Sequence, residues 1–372
     1  MLERQRAALV SLHFAEYITN LASELAEKID VLLILYQNNA DDELGADWQA
    51  RLKQPGLTIL ALPRPKSASD VLKNRRQLLT VIREFNPHVI HYQEDPRDEL
   101  ILSLPFLRNF PSVLTIHDPK RHTGWDAKLS RFSFYRFYFR RAIDVAITHG
   151  EQLAKELTDM YPHLKDRVWS IAHGPLGVGF AGTKPSRPEG CRILFFGRIH
   201  AYKGLAYFVD AIIALRQKGY PVVGVVAGRG SDLAPNRQRM DDSGCFEIID
   251  RYINADDIPG LFLDSLIIAL PYTDGTQSGV AAMALGFGRP VVATAVGSIP
   301  ELVREGTNGL LTPARDSEKF AAALETILAD PQLWEKLAQG SLDLKNGDLS
   351  WRTIADKTLL AYQAAIESKT AR

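Results

Sequence analysis

The stretch Leu270–Glu301, LPYTDGTQSGVAAMALGFGRPVVATAVGSIPE, decides the fold. Leu266–Pro271 (LIIALP) is a short apolar run of the kind that forms a buried strand. A polar, glycine-bearing turn follows at Thr273–Gly279, then an Ala-rich helical run, Val280–Phe287, and a second buried strand at Pro290–Thr294. The loop Ala295–Ser298 leads into Ile299-Pro300-Glu301. This is a strand–turn–helix–strand–turn–helix unit. Its turns lie at the carboxyl ends of parallel strands, where open α/β sheets bind ligands. The backbone N–H groups of Ser278, Gly279 and Val280 stand at a helix start, where they lack intrahelical partners and suit an anion. The competing reading is an ordinary βαβ connection with no ligand.

Towards the N-terminus, Arg192–Phe196 (RILFF) is another such strand. It runs into Gly197-Arg198-Ile199-His200-Ala201-Tyr202-Lys203-Gly204 and then the helix Leu205–Lys218. Gly197 at the strand end lets backbone approach a ligand closely. Arg198 and Lys203 around the same turn suit a diphosphate, arginine as a directional fork and lysine as a point charge. The alternative is a surface turn with two solvated cations. The spacing is not the GxGxxG dinucleotide fingerprint. Val222–Ala227 and Phe246–Ile249 are further strands, the second followed by Arg251 and Tyr252 in a loop placed to read a base edge. Ile258–Ser265, Ser317–Leu328, Leu333–Ala338 and Trp351–Ile366 read as helices, and Gly309–Thr312 as a short strand.

The first half repeats the alternation. Strands are expected at Ala8–Phe14, Asp30–Tyr36, Leu57–Leu62, Val89–Tyr92, Val113–Ile116, Ile143–Thr148 and Arg167–Ala172, with helices at Ala15–Lys28, Val71–Phe85 and Gln152–Asp159. Gln37–Gln49 reads as loop. His91, Glu94, Asp95 and Asp98 lack a standard metal-ligand spacing and read as a solvated loop above the sheet. His117-Asp118-Pro119 ends a strand, so His117 is a candidate for orienting a substrate hydroxyl or stabilising charge; equally, Asp118 caps a turn and His117 packs. Between Arg131 and Arg141 six aromatics interleave with four arginines. This segment suits an anionic membrane interface or, alternatively, an interior helix with snorkelling arginines.

The chain is 372 residues long, which suits two domains of ordinary size. It is 46% hydrophobic and 24% charged with zero formal net charge, a soluble globular composition that argues against a general nucleic-acid binder. Cys191 and Cys245 form neither a metal pattern nor a disulfide framework, which points to a reducing compartment. No apolar run is long enough to span a bilayer and the N-terminus is too short and polar for a secretory signal, so the expected location is the cytoplasm, with any membrane association peripheral at the inner face. The expected architecture is α/β: two doubly wound Rossmann-like domains facing one another across a cleft. Residues 1–174 form the first, 175–190 a linker and 191–350 the second, with 351–372 a helix reaching back over the first domain.

These residues resemble the family 4 glycosyltransferases of the GT-B fold. The resemblance rests on FFGRIHAYKG at Phe195–Gly204, VVAGRG at Val225–Gly230 and the segment Leu270–Leu311, and more loosely on IHD at Ile116–Asp118, ITHGEQL at Ile147–Leu153 and IAHG at Ile171–Gly174. It implies a retaining, metal-independent hexosyltransferase that needs no cofactor. The donor would be a UDP- or GDP-linked sugar bound in the second domain, and the acceptor a glycan or lipid-linked saccharide bound in the first. Carried over, Arg198 and Lys203 hold the leaving diphosphate, with Gly197, Ser278, Gly279 and Val280 around it. Arg251 and Tyr252 flank the nucleobase, and His117 lies near the sugar ring. One departure stands out. The family commonly has two glutamates spaced E-x7-E, whereas the positions here hold Gly275 and Met283. A methionine cannot accept ribose hydroxyl hydrogen bonds as a carboxylate does. The TQSGV turn at Thr276–Val280 looks like an SQSGV-bearing branch that lacks the later glutamate; here Asp274 is a candidate for contacting sugar hydroxyls, and Glu301 either lies close by or caps the helix that follows. Two other readings stand beside transfer: a sugar-nucleotide epimerase on the same fold, and a non-catalytic binding protein of a glycan pathway.

Overall fold

The computed structural model describes residues 4–45, 47–95, 98–119, 133–177, 185–275 and 277–371, without the side chains of 98–99 and 133–136. Met1–Ala172 and Trp351–Arg372 form one compact unit and His173–Ser350 a second.

The strands of the first unit are β1 Arg6–Ser11, β2 Asp30–Tyr36, β3 Leu57–Leu62, β4 Val89–Tyr92, β5 Ser112–Ile116, β6 Val145–Thr148 and β7 Val168–Ser170. Its helices are α1 Ala15–Ala26, α2 Gln37–Leu44, α3 Trp48–Arg51, α4 Ala68–Phe85, α5 Asp98–Leu107, α6 Ser133–Ala142 and α7 Glu151–Met160. The second unit has β8 Arg192–Phe196, β9 Val223–Ala227, β10 Phe246–Ile249, β11 Ile267–Leu270, β12 Val291–Thr294 and β13 Gly309–Thr312. Its helices are α8 Leu205–Gln217, α9 Leu233–Ser243, α10 Ile258–Leu263, α11 Gly279–Gly286, α12 Ile299–Leu302, α13 Ser317–Ala329 and α14 Pro331–Asn346. The last helix, α15 Trp351–Thr370, belongs to the first unit.

Both sheets are parallel throughout, among the described residues. The first has seven strands in the order β3-β2-β1-β4-β5-β6-β7. The second has six, in the order β10-β9-β8-β11-β12-β13. Each order reverses once, between β1 and β4 in the first unit and between β8 and β11 in the second. Runs such as DVLLILY and IIAL are apolar at nearly every position because helices cover both faces of the sheets. One register row crosses the first sheet through Ile59, Leu33, Leu9, His91, Val113 and Val145.

α15 packs on α1 and on β4–β6. Its Tyr362 is fully buried, and the phenol bonds His91 Nδ1 at 2.8 Å while Thr115 Oγ1 bonds His91 Nε2 at 2.7 Å. Burial, with a smaller contribution from His117, pushes the His91 pKa down to about 3, so the ring is neutral. The second unit closes its core with α13 and α14, where the buried Trp334 donates its indole N–H to Leu266 O at 2.7 Å.

Several expectations change. β1 stops at Ser11 rather than Phe14, because Phe14 has left-handed backbone (φ 60°, ψ 49°) that no strand accommodates. Gln37–Gln49 is mostly helical: Gln37–Asp41 and Asn39–Glu43 side chains bond one turn apart at 2.6 and 2.7 Å, and the buried Trp48 ties its indole to Asp41 at 2.9 Å. His91 is a core residue of β4 with no exposed surface, not part of a solvated loop. Asp95 forms a two-pronged ion pair with the buried Arg140, at 2.9 and 2.8 Å. In the aromatic segment, residues 131–132 lie outside the described residues. Of the rest, Phe139 is buried edge-on against Tyr92 at 5.1 Å, while Phe137 and Tyr138 are about half exposed. Among the described residues, no helix is long and apolar enough to cross a membrane.

Candidate functional site

The second unit assembles its candidate site at its own switch point, from the loops that leave β8 and β11. After β8 the chain turns at Gly197 (φ 103°), makes one short turn Ala201–Lys203, and enters α8 through Gly204 (φ 75°). A Cβ at Gly204 would stand 1.9 Å from Pro271 O, so glycine is what lets the two loops meet. Thr273 N donates to Tyr202 O at 2.7 Å and locks them together.

This contact folds Lys203 inward. The residue is 8% exposed, and its ammonium donates to Tyr272 Oη at 2.9 Å while lying 4.9 Å from the centre of the same ring. Tyr272 Oη lies 3.2 Å from Ser278 Oγ, and Ser278 caps α11 by accepting from Ala281 N at 3.2 Å. A Cβ on Gly197 would lie 3.5 Å from Lys203 Nζ and 3.7 Å from Val280 Cγ2; one on Gly279 would meet nothing within 4 Å. So Gly197, Lys203, Tyr272, Ser278 and Val280 converge beside the open start of α11. Among the described residues, no carboxylate lies within ion-pair distance of Lys203. A buried cation without a counter-ion is costly, a cost that an anionic ligand would offset.

The other sequence candidates are more dispersed. Arg198 is exposed and makes no ion pair with a described residue. Arg251 and Tyr252 follow the edge strand β10; Arg251 pairs with Asp257 at 2.7 Å, and Tyr252 is 68% exposed. Asp274 is exposed and its carboxylate accepts from Gly275 N at 2.8 Å. Glu301 is half-buried in the first turn of α12, and Met283 half-buried on α11. Tyr272, the centre of the cluster, is absent from the sequence candidates. Its signal was the Pro-Tyr pair at the very end of a buried strand, just before the turn.

The first unit has its own constellation at the carboxyl ends of β1, β4, β5 and β6. His117 is 6% exposed; Gln93 Nε2 lies 2.9 Å from His117 Nε2, which the amide N–H requires to act as acceptor. Phe14 stacks on His117 with ring centres 4.3 Å apart, and the His149 ring lies 4.8 Å from His117, tilted by 53°. Tyr17 approaches both histidines and meets Trp351 of α15 edge-on at 4.9 Å. Arg140 holds the loop after His117, donating to Pro119 O at 3.3 Å and Asp118 O at 3.5 Å. Phe14, Gln93 and His149 were not sequence candidates. Among the described residues, no group of three or more His, Cys, Asp or Glu is arranged to hold a metal ion.

Comparison with known proteins now bears on both units. Residues 15–174 match the model of Glycosyltransferase Family 4, and residues 190–330 that of Glycosyl transferases group 1. The chain carries the two domains of a family 4 glycosyltransferase. Glycogen synthase of Mycobacterium tuberculosis is 25% identical over 299 residues, covering 78% of this chain and 72% of that protein. D-inositol 3-phosphate glycosyltransferase of Jonesia denitrificans is 32% identical over 242 residues, covering 58% of this chain and 56% of that protein. The fold is that of sucrose-phosphate synthase from Thermosynechococcus elongatus (TM-score 0.69, 19% identity, 97% of this chain and 98% of that one). It is shared as well by Anabaena HepE, solved in complex with UDP (TM-score 0.67, 17% identity, 96% and 98%). Both units of this glycosyltransferase thus have a GT-B domain's parallel sheet.

Proposed function

We propose that the protein is a retaining glycosyltransferase that moves a hexosyl unit from a nucleoside diphosphate sugar, UDP- or GDP-linked, to a glycan or lipid-linked saccharide. The observation that carries the reading is the buried Lys203 ammonium, which lacks a carboxylate partner among the described residues and stands beside the start of α11. Negative charge grows on the leaving diphosphate as the glycosidic bond breaks, so contacts aimed at it are worth most in the transition state. Lys203 serves as the fixed charge, held by Tyr272, and the exposed Arg198 as the mobile fork. Ser278, Gly279 and Val280 contribute amides at the helix start, where Gly279 leaves room for a phosphate oxygen. Arg251 and Tyr252 are assigned to the base, and Asp274 and Glu301 to sugar hydroxyls. His117, with Gln93 on its Nε2, is assigned to hydroxyl recognition in the first unit.

Metal independence follows from the same assignment, since two cations of the chain neutralise the leaving group. Retention is what the family resemblance implies, and a glycan acceptor accords with the similarity to glycogen synthase. Peripheral contact with an anionic bilayer is supported by the exposed Phe137 and Tyr138 beside Arg141 on α6. The test is a donor panel assayed for nucleoside diphosphate release with saccharide and lipid-linked acceptors, in EDTA, with the product's anomeric configuration read by NMR. Transfer with the α or β form of the donor preserved is the expected result. Acceptor-free interconversion of donors would indicate an epimerase, and binding without turnover a non-catalytic protein; either outcome refutes the proposal.

A further inference from the structure

The first unit holds a residue that its fold alone does not account for. Phe14 sits in the turn between β1 and α1, immediately before the helix, at the strand end that borders the switch point between β1 and β4. Its backbone is left-handed (φ 60°, ψ 49°), a conformation that a bulky L side chain rarely adopts and glycine adopts freely. The turn is over-determined by its surroundings: Ser11 Oγ donates to His13 O, Ile18 N donates to Phe14 O at 3.1 Å, and Glu43 accepts from Glu16 N at 3.0 Å. A glycine would relieve the strain at this position. The ring is not compensated by full burial either, since Phe14 remains 39% exposed. Non-glycine residues held in this way cluster where a ligand needs the side chain.

Its surroundings define the ligand's chemistry. One neighbour is the His117 imidazole, stacked at 4.3 Å and 30°, and beyond it lies the fully buried Gln93 amide at the end of β4. The part-exposed Phe14 ring, backed by the buried imidazole and amide, offers a flat apolar face that matches the C–H face of a pyranose. Crevices outside the carboxyl ends of strands at a switch point are where open α/β sheets take ligands. We infer that Phe14, held against His117 and through it Gln93, forms a saccharide subsite in the first unit, in which the exposed side of its ring stacks on the sugar face of the acceptor and sets acceptor specificity. The inference rests on the transferase reading above and names the acceptor's docking residue within it.

The test compares wild type, Phe14→Leu and Phe14→Trp on a donor–acceptor pair that wild type turns over. Leucine keeps the bulk and the backbone demand but has no flat ring face; tryptophan restores one. F14L is expected to raise the acceptor KM about tenfold, leaving donor KM within about twofold, and F14W to recover most of the loss. Thermal unfolding of the variants serves as the control for a packing role. Equal acceptor KM in wild type and F14L overturns the inference while the transferase reading stands. A loss in F14L that tracks a lowered Tm and raises both KM values also overturns it, in favour of a packing role. Absence of wild-type transfer with every pair defeats the transferase reading itself and takes the acceptor assignment with it.

Discussion

Tyr272→Phe isolates one atom of the Lys203 cluster. The ring stays, and with it the packing and the 4.9 Å approach of the Lys203 ammonium to the aromatic face. The phenol oxygen goes, and with it the 2.9 Å bond from Lys203 Nζ and the 3.2 Å link to Ser278 Oγ. Ser278 keeps its bond from Ala281 N, so the α11 cap survives and the fold is expected to hold. A hydrogen bond to a charged group contributes about 1.5–3 kcal/mol. In the proposed complex a diphosphate offers Lys203 a replacement partner, so the lower part of that range applies. The expected loss in kcat/KM is therefore about 10- to 30-fold, chiefly in kcat, because misdirection of the ammonium matters most when leaving-group charge develops. The assay is steady-state release of nucleoside diphosphate at saturating acceptor, with circular dichroism as the fold control. A variant with kcat within about twofold of wild type would show that Tyr272 does not position Lys203 for the reaction.

Other consequences are reachable with stability measurements. Gly204→Ala places a Cβ 1.9 Å from Pro271 O at a residue with φ 75°, so it should destabilise the second unit by more than about 2 kcal/mol and lower Tm in a thermal scan. An unchanged Tm would mean the two loops part readily. His91 is neutral and buried with its pKa depressed to about 3, whereas in the unfolded chain it titrates near its ordinary value of 6.5. Its contribution to stability is thus complete above pH 6.5 and falls as the pH drops towards 3, by about 1.4 kcal/mol per pH unit. Chemical denaturation at pH 7.5 and 5 should show that loss in wild type and a shallower dependence in His91→Gln. Identical pH slopes would contradict it.

Much of the fold was legible because buried parallel strands read as unbroken apolar runs: DVLLILY, RILFF and IIAL are strands where the sequence places them. The strand orders were not, since pairing of β1 with β4, or of β8 with β11, is a long-range choice that no local window contains. Local misreadings share that origin. Gln37–Gln49 looks polar because only Trp48 and Ala40 of the two helices are buried there. Phe14 looks like a strand residue because its left-handed backbone leaves no trace in an aromatic letter. In the site, Gly197, Lys203, Ser278 and Val280 were readable from their turns, and the structure brings them together. The burial of Lys203 was not readable, because lysine in a turn is ordinarily solvated and only the close passage of Gly204 past Pro271 draws it in. Tyr272 was lost for the same reason, as the residue just past an apolar run whose hydroxyl has meaning only beside Lys203.

The central claim is that the Lys203 cluster is built for a nucleotide's diphosphate. Isothermal titration of UDP and GDP into wild type and Lys203→Met tests it most directly, because methionine keeps most of the stem and removes the charge. Binding of one nucleotide to wild type is expected, with an affinity at least about tenfold weaker in the variant, corresponding to a charged contact of at least about 1.4 kcal/mol. Equal affinities in the two proteins, or no binding of either nucleotide to wild type, would contradict it.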